Sequence, residues 1–412
     1  MEAELVGVRR VGGGFITLYA LALMGTSLLF LAPLLVTLAL KINALVGIEQ
    51  APSSLGLVTG IGSLLAIVGN PFFGKMSDRT TSALGMRRPW MIIGLIGGSV
   101  GILIVALAPS IPVVLIGWCI AQLLFNALLA ALVAVLPDQV PTDQRGLVSG
   151  VLGICLPIAS VSGTFVVQLF TGNQLAMFLA PCAIGGIAVL LFVLTLKDRR
   201  LAKADRPAWS LREFASTFYV NPKENPDFAW AFVSRFLLVL AYAFLTTFQA
   251  YYLLNKIGSA ESEVPRQIFL GTLVQSTVII AASLIGGKLS DLAGRRKIFV
   301  MSAAIVYGLA MFVIAGASSF TGFLVGMAIG GLGFGMYVAV DLALVADVID
   351  NKDNAKDLGV FNIASALPYS VAPAIAPAIL AVGGGSYSVL YAIAGVSAVL
   401  GAVAILPVRR VR

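Results

Sequence analysis

Two oppositely charged residues lie inside long apolar stretches of this sequence, and together they could bind and release a proton. Arg235 and Asp341 are flanked on both sides by uncharged residues. A lone charge in a lipid-like medium costs at least ~2.5–3.5 kcal/mol, so such residues are expected to face a protein interior and to pair. Burial favours the neutral carboxyl, whereas a nearby guanidinium favours the carboxylate. We therefore predict that Asp341 exchanges a proton, or a polar group of a substrate, as its contact with Arg235 opens and closes. A static ion pair and a lack of contact are the alternatives.

A second set of residues could bind a substrate through hydrogen bonds. These are uncharged amides and phenols near the middle of the apolar stretches. They are Gln122, Asn126, Gln249, Tyr251, Tyr252, Gln275, Tyr337 and Asn362. Amides and phenols bind hydroxyl groups, and an aromatic ring packs against the apolar face of a sugar, so the set is compatible with a carbohydrate. The alternative is that each residue joins two helices by a hydrogen bond.

The residue types that most enzymes need are missing or isolated. The sequence has no histidine, which excludes an imidazole base, a His-ligated metal and a His-based nucleophile triad. Cys119, Cys155 and Cys182 lie singly in apolar runs and are interpreted as packing residues rather than a disulfide framework or a metal cluster. We therefore expect no enzyme activity, no metal site and no cofactor.

The composition indicates that these residues belong to a membrane protein. Of 412 residues, 59% are hydrophobic and 11% are charged, whereas a soluble chain carries about a quarter of its residues as charged ones. Some charge-free stretches are long enough for one helix across ~30 Å of hydrocarbon, and others are about double that length with turn-forming residues at their midpoints. The stretches are Phe15–Leu40, Gln50–Gly74, Pro89–Pro137, Gly146–Leu196, Phe228–Asn255 (interrupted by Arg235), Gln267–Gly287, Ile298–Val340 and Leu358–Val408. They predict an all-α membrane protein with twelve transmembrane helices.

The basic residues predict the orientation of these spans. An even number of spans places both termini on one side, and with that side in the cytoplasm 23 of 27 basic residues are cytoplasmic. Lys41, Lys256 and Arg266 are then external, and Arg235 lies within a span. The net charge of +8 follows from this bias, so no nucleic-acid partner is needed to explain it. We expect a monomeric multi-pass protein of the cytoplasmic membrane, in contact with lipid and without a cleavable signal peptide.

The two halves of the sequence repeat the same pattern. Gly74-Lys75-Met76-Ser77-Asp78 after the second span recurs, shifted by 213 residues, as Gly287-Lys288-Leu289-Ser290-Asp291 after the eighth. A basic pair and a later Asp follow in each half. The residues of this motif are Gly74, Asp78, Arg79, Arg87, Arg88 and Asp138 in the first half, and Gly287, Asp291, Arg295, Arg296 and Asp347 in the second, where Arg79 has no counterpart. Internal duplication is typical of secondary transporters. We expect two six-helix bundles, residues 1–196 and 228–412, joined by a cytoplasmic connector over residues 197–227.

The repeated pattern could form a cytoplasmic gate. Glycine would allow two helices to approach closely, and the Asp would cap a helix and face the arginines. The alternative is a topology anchor that only keeps the loop inside. Gly150, Gly153 and Pro157 in span five, and Pro368, Pro373 and Pro377 in span eleven, predict bent helices that suit a gating motion.

With these motifs the chain resembles the major facilitator superfamily, whose loop between spans two and three has the pattern G-x-x-x-D-(R)-x-x-G-R-R. Within it, Ser77–Thr80 with Gly85–Trp90, and Leu136-Pro137-Asp138 with Arg145-Gly146, resemble the glycoside-pentoside-hexuronide:cation symporters and the sucrose-proton symporters. The resemblance implies a 6+6 fold and alternating access. Sodium-coupled members of that group have a carboxylate where this chain has Asn70, which favours a proton as the coupling ion.

The function that these observations predict is secondary active transport of a small polar organic solute. Proton-coupled symport of a sugar or glycoside is the leading form. Proton-driven efflux of a drug or metabolite is the alternative, and a permease-like sensor or assembly factor that transports nothing is an alternative of another class. An intramembrane enzyme has no nucleophile-base pair or metal cluster in its favour.

Overall fold

The spans form twelve long apolar helices in the part of the chain that the structure describes. The structure, a computed structural model, describes residues 10–207, 210, 225–293, 295–348 and 354–408. The spans are α1 (Gly13–Val46), α2 (Ala51–Asp78), α3 (Arg88–Leu107), α4 (Ile111–Gln139), α5 (Thr142–Leu169), α6 (Gln174–Thr195), α7 (Pro226–Ile257), α8 (Val264–Ser290), α9 (Arg296–Gly316), α10 (Phe320–Asp341), α11 (Val360–Val382) and α12 (Tyr387–Ala404). Helix α10 continues to Val348. The predicted all-α fold of twelve spans is thus confirmed.

The turns between the spans form where the sequence predicts breaks. Helix α3 ends at Leu107 and α4 begins at Ile111, across the predicted Pro109–Pro112 break. Between α5 and α6, Gly172 has a φ of +93°, and the Asn173 side chain accepts a hydrogen bond from the amide of Ala176 at 3.1 Å. A left-handed glycine followed by an Asn cap ends one helix and starts the next.

The helices are apolar on their outer as well as their inner surfaces. Leu64, Leu284 and Leu309, all within spans, are 51%, 63% and 53% exposed. Leucines with this exposure would be costly in water but are stable against hydrocarbon chains. The exposed leucines therefore mark the surface that contacts lipid.

The first span is longer than the sequence predicts, and its extension buries Lys41. We expected this lysine outside the membrane, but it lies within α1 and is 6% exposed. Its Nζ donates to the Ala106 carbonyl at 2.9 Å and to Gln174 Oε1 at 3.1 Å. The lysine satisfies a carbonyl at the end of α3, where the helix itself offers no donor.

The same helix pairs pack in both halves of the chain. In the first half α1 packs against α5 and α6, and α4 against α2 and α3; in the second half α7 packs against α11 and α12, and α10 against α8 and α9. Gly25 and Gly185 bring α1 and α6 so close that a Cβ on Gly25 would lie 2.7 Å from the Gly185 carbonyl oxygen. At the matching contact, Ser234 Oγ of α7 donates to the Gly401 carbonyl of α12 at 2.7 Å. Small residues allow this close approach of membrane helices.

The two halves contact each other at one end of the spans. We call the end where α1 begins and α12 ends the inner end, and the opposite end the outer end. Near the outer end, the Tyr251 hydroxyl of α7 donates to the Ala39 carbonyl of α1 at 3.0 Å. Gly56 of α2 packs against the Pro373 backbone of α11.

Helices α5 and α8 also meet toward the outer end. Phe165 and Phe269 pack there with ring centroids 5.4 Å apart. The outer segment of α5, Cys155–Leu169, packs against α8, whereas its inner segment, Thr142–Gly153, packs against α1. The contacts described between the halves therefore lie toward the outer end.

Helices α5 and α11 are interrupted near the positions that the sequence predicts to bend. Helix α5 is divided between Gly153 and Cys155. Helix α11 is divided into Asn354–Ala366 and Pro368–Val382. Proline removes a backbone donor, which explains the break in α11. Much of the predicted connector, residues 208–209 and 211–224, lies outside the described residues.

Candidate functional site

Arg235 and Asp341 form an ion pair between α7 and α10. Arg235 Nη1 lies 2.7 Å from Asp341 Oδ2, and the two side chains are 14% and 8% exposed. The Tyr337 hydroxyl donates to the other carboxylate oxygen, Oδ1, at 2.6 Å. The carboxylate therefore has a charged partner on one oxygen and a phenol on the other.

The ion pair lies about two turns or more inside both helices, away from their inner ends. Arg235 is nine residues from the start of α7 at Pro226, and Asp341 is seven residues before the helix end at Val348. At 1.5 Å per residue both lie ~11–14 Å from the inner end of their helices. The two residues therefore lie at similar distances from the inner ends of their helices, and the pairing that the sequence predicts is present.

Arg235 has two further contacts that do not involve Asp341. Its Nε donates to Ser365 Oγ of α11 at 2.5 Å. Its guanidinium carbon lies 4.7 Å from the centroid of the Phe361 ring, which is itself buried. A hydrogen bond and a cation–π contact thus hold the guanidinium from the side of α11. Neither partner is indicated by the sequence alone, because Ser and Phe are common in membrane helices.

Aromatic rings continue from the ion pair toward mid-membrane. Phe334 of α10 stacks on Tyr242 of α7 at a centroid distance of 4.2 Å, and Tyr337 lies 6.2 Å from Phe334. Tyr307 of α9 is fully buried, and its hydroxyl has no hydrogen-bond partner among the described residues. This part of the second half is therefore aromatic. The Tyr307 hydroxyl in it could donate a hydrogen bond to a solute.

Of the two amides predicted in span four, Asn126 is engaged by hydrogen bonds within the first half. Asn70 Nδ2 of α2 donates to Asn126 Oδ1 at 3.3 Å, and Asn126 Nδ2 donates to the Gln122 carbonyl at 2.8 Å. Gln122 and Asn126 are buried. Much of the hydrogen-bonding capacity of this cluster is thus used within the first half.

The other predicted substrate contacts lie in different surroundings. The Tyr252 hydroxyl donates to the Ile314 carbonyl at 2.7 Å, which is the helix-joining alternative. Gln249 is buried. Gln275 is buried as well, and its Nε2 has no partner in the part of the chain that the structure describes. Asn362 is exposed. The structure brings Tyr337 to the ion pair and does not bring these four residues to it.

At the inner end, Arg87 joins three helix ends of the first half. Its Nη1 lies 2.6 Å from Asp78 Oδ1 at the end of α2, and its Nε lies 2.8 Å from Asp138 Oδ2 near the end of α4. Nη1 also donates to Ser77 Oγ at 2.9 Å. Burial alone would lower the pKa of Arg87, but the hydrogen bonds and charges of Asp138 and Asp78 raise it above its ordinary value. The guanidinium is therefore a permanent positive charge that fixes these ends.

A residue that we did not predict completes this cluster. Asp198, just after α6, accepts hydrogen bonds at Oδ2 from the backbone amides of Arg87 at 2.6 Å and Arg88 at 2.8 Å. The Arg199 carbonyl accepts from the amide of Met86 at 3.0 Å. Asp198 thereby caps the start of α3 from a distant part of the chain. It lies in a polar stretch outside the repeat, so only its charge could have suggested it.

Gly85 is required where Asp198 approaches the loop. Its φ is +105°, and a Cβ there would lie 2.3 Å from Asp198 Oδ2. We expect Gly85→Ala to destabilise the purified protein by about 2 kcal/mol or more, because left-handed strain adds to the loss of the cap. The measurement is the apparent melting temperature in detergent. Gly172→Ala is the matched control, because its φ is +93° but a Cβ would meet nothing within 4 Å. Equal shifts for the two variants would contradict the role of Asp198.

The structure describes only some of the remaining residues of the predicted gate. A Cβ on Gly74 would meet nothing within 4 Å, so the expected close helix approach at Gly74 is wrong for this conformation. A Cβ on Gly287 would lie at an ordinary van der Waals distance from the Ala339 side chain. Arg79 Nη1 and Arg88 Nε are buried without partners among the residues described. Arg295 is exposed, and Arg296 begins α9. The side chains of Asp291 and Asp347 lie outside the described residues.

The chemistry of the described residues is that of ion pairs and hydrogen bonds. Among them, no group of three or more His, Cys, Asp or Glu side chains could hold a metal ion. Twelve apolar helices, packed in similar pairs in the first and second halves of the chain and joined in the second by a buried ion pair, define a multi-pass membrane protein. The chain belongs to the Major Facilitator Superfamily, whose family model matches residues 13–273 and 265–412.

Individual relatives match parts of the chain. A probable 4-methylmuconolactone transporter from Cupriavidus pinatubonensis is 37% identical over 113 residues, which are 26% of this chain and 26% of the relative. The class G tetracycline resistance protein of Vibrio anguillarum is 27% identical over 180 residues, 43% of this chain and 44% of the relative. These matches thus span less than half of either relative.

The fold is also that of a solved structure. A crystal structure of a point mutant of the nucleoside transporter NupG matches with a TM-score of 0.77 and 14% identity, over 96% of this chain and 99% of that one. At this identity the likeness concerns the fold alone.

Proposed function

We propose that this protein is a proton-coupled secondary transporter of a small organic solute, working by alternating access. The observation that carries the proposal is the ion pair between Arg235 and Asp341, which joins α7 and α10 within the membrane-spanning region. Protonation of Asp341 would remove one charge of the pair and so release α10 from α7. A buried carboxylate with a cationic partner is therefore a switch that a proton can set.

The contacts between the halves support the transport cycle. They lie toward the outer end, so the arrangement suits a state in which the solute enters or leaves at the inner end. The interruptions of α5 and α11 are on helices that pack across the two halves, where bending would permit rocking. We assign the inner end to the cytoplasm on the bias of basic residues. The protein then works as a monomer in the cytoplasmic membrane, with both termini inside.

The direction of transport and the solute have two candidate forms. Carbohydrate symport is implied by the resemblance of the loop after span two to glycoside and sucrose symporters. Efflux of a drug or metabolite is supported by the partial match to a tetracycline resistance protein. The lactone transporter among the relatives also handles a small organic molecule. Both forms use the same ion pair, so its role can be tested before the direction is known.

Asp341→Asn is expected to abolish proton-driven accumulation and to leave exchange of solute across the membrane intact. The amide keeps the shape of the carboxyl but cannot take up a proton. The measurement uses liposomes containing the full chain, an imposed pH gradient, and labelled D-xylose, sucrose, uridine, tetracycline and 4-methylmuconolactone. The solute that the wild type accumulates is then tested with the variant, with and without the gradient.

The matched control is Asp143→Asn. Asp143 pairs with Arg10 at the surface, with side chains 49% and 79% exposed, so its loss should leave accumulation unchanged. Full accumulation by Asp341→Asn would remove Asp341 from the coupling step. Failure of the wild type to move any of the solutes under either polarity of the gradient would favour the sensor alternative.

A further inference from the structure

We propose that the transported solute is a small organic anion with an apolar body, and that its anionic group takes the place of Asp341 on Arg235 when Asp341 is protonated. The inference rests on the proposed function and names the substrate class for the same site. One proton and one monovalent anion would then move together, so the cycle would carry no net charge. No covalent bond is formed or broken, because the proton passes from water to the Asp341 carboxylate and back.

Arg235 is positioned to accept a new anion because its orientation does not depend on Asp341. Ser365 Oγ binds its Nε, and the Phe361 ring lies against the guanidinium. Both partners are on α11, whereas Asp341 is on α10. When the ion pair breaks, the guanidinium remains held in place. A planar guanidinium is well suited to bind a carboxylate through two parallel hydrogen bonds.

The charges around the site call for a monovalent anion. Helix α10 packs against α7, α8 and α9. Among the side chains that the structure describes, the ionisable groups that interact with Asp341 are Arg235 from α7 and Tyr337 from its own helix, while Lys288 of α8 is exposed. After Asp341 binds a proton, Arg235 has lost its counter-charge in a region where an unpaired charge is costly. A single negative charge restores neutrality, whereas a cation or a neutral sugar does not.

Aromatic rings beside the ion pair offer a place for the rest of the solute. Phe334 of α10 stacks on Tyr242 of α7 at a centroid distance of 4.2 Å, and both residues are partly exposed. Tyr337, whose hydroxyl binds Asp341, lies 6.2 Å from Phe334. Aromatic faces pack well against an apolar ring or chain. These rings therefore match the apolar part of an amphipathic acid.

Several polar groups predicted to bind a sugar are already engaged. The side chains of Asn70 and Asn126 bond to each other, Asn126 also donates to the backbone carbonyl of Gln122, and the Tyr252 hydroxyl of α7 bonds to a backbone carbonyl. A polyhydroxylated solute would need several free partners to replace its water. Donors suited to a solute are instead in the second half, at Arg235 and at the buried hydroxyl of Tyr307.

Binding of simple aromatic and alicyclic acids tests the proposal. The probes are benzoate, phenylacetate and cyclohexanecarboxylate, titrated calorimetrically into the purified full chain between about pH 5.5 and 8, where a carboxylic acid is ionised. We expect wild-type affinity for at least one acid to rise about tenfold for each unit that the pH falls, because one proton is bound with the anion. In weakly buffered solution the protein should take up one proton for each anion bound, a readout that needs no variant. The matching neutral amide, such as benzamide for benzoate, should bind at least tenfold more weakly.

Two variants test the roles of the Asp341 and Arg235 charges separately. Asp341→Asn should bind the acid without pH dependence, because Arg235 is permanently without its counter-charge. Arg235→Gln combined with Asp341→Asn removes both charges and should lose the binding. Equal binding of acid and amide, anion binding by the double variant, or lack of proton-linked binding by all three acids would overturn the anion proposal. Loss of accumulation by Asp341→Asn alongside any of these results would leave the coupling role standing, so the two proposals can fail separately.

Discussion

Arg235→Gln alone is expected to lower the stability of the protein far more than Arg235→Gln together with Asp341→Asn. Removal of one partner leaves the Asp341 carboxylate buried with only the Tyr337 hydroxyl beside it. Breaking a buried ion pair from one side costs about 3–5 kcal/mol, whereas neutral replacement of both partners costs much less. The difference should appear as a melting temperature lower by several degrees for the single variant in detergent, and as a lower yield of monodisperse protein.

Arg235→Lys is the matched control for this comparison. A lysine keeps the positive charge, but its single ammonium group cannot bind Asp341 and Ser365 at the same time as the planar guanidinium does. It also loses the stacking on Phe361. Its stability should lie between that of the wild type and that of Arg235→Gln. If the single and double variants melted together, the ion pair would contribute nothing to the stability of this state. The result would then favour Arg235 being stabilised by α11 alone.

Arg87→Gln is expected to separate the inner ends of α2, α3 and α4 and to reduce transport at least tenfold. The guanidinium makes charge-assisted hydrogen bonds to Asp78, Asp138 and Ser77, and each such bond contributes about 1.5–3 kcal/mol when buried. Because Asp78 and Asp138 are partly exposed, with side chains 53% and 36% accessible, solvent screening lowers the total below the sum of three buried bonds, and we expect about 3 kcal/mol. The measurements are melting temperature and accumulation of the solute identified in liposomes.

A double-mutant cycle and a surface pair provide the controls. Arg87→Gln and Asp138→Asn should be non-additive by about 1–2 kcal/mol, because they remove two ends of one contact. Arg10→Gln removes an arginine from an exposed Asp143 pair at the same end and should have almost no effect. Additive losses of stability in the Arg87 and Asp138 variants would show that the contact between the two side chains does not contribute to stability. The positions would then act only as independent topology anchors.

Some contacts of the site could be predicted, because an unpaired charge in an apolar stretch of sequence is energetically unfavourable. Arg235 and Asp341 interrupt apolar stretches at similar depths, and an unpaired charge there is unfavourable enough that pairing is expected. The structure adds their contact of 2.7 Å. The set of Asp78, Arg87 and Asp138 follows from the repeated motif, and the structure joins these residues through one guanidinium.

Other contacts could not be predicted, because they depend on how distant segments pack. Ser365 is 130 residues from Arg235, and Asp198 is 111 residues from Arg87. Neither residue is unusual in its own stretch of sequence. The burial of Lys41 could not be predicted for the same reason: its position near the end of a charge-free run indicates the external side, but not that α3 and α6 provide oxygen acceptors for its ammonium group.

By itself the sequence determined the number of spans, the repeated motif after spans two and eight, and the family of this protein. These properties depend on the transfer of short segments from water to lipid and on repeated residues, all of which are readable in local windows. The tertiary structure decided which polar groups meet: that Arg235 is held by α11 as well as by Asp341, that Asn70 of α2 bonds to Asn126 of α4, and that Asp198 caps α3. Such contacts depend on the register of helices that are far apart in the chain, and hydropathy, which is nearly the same on every apolar face, does not specify that register.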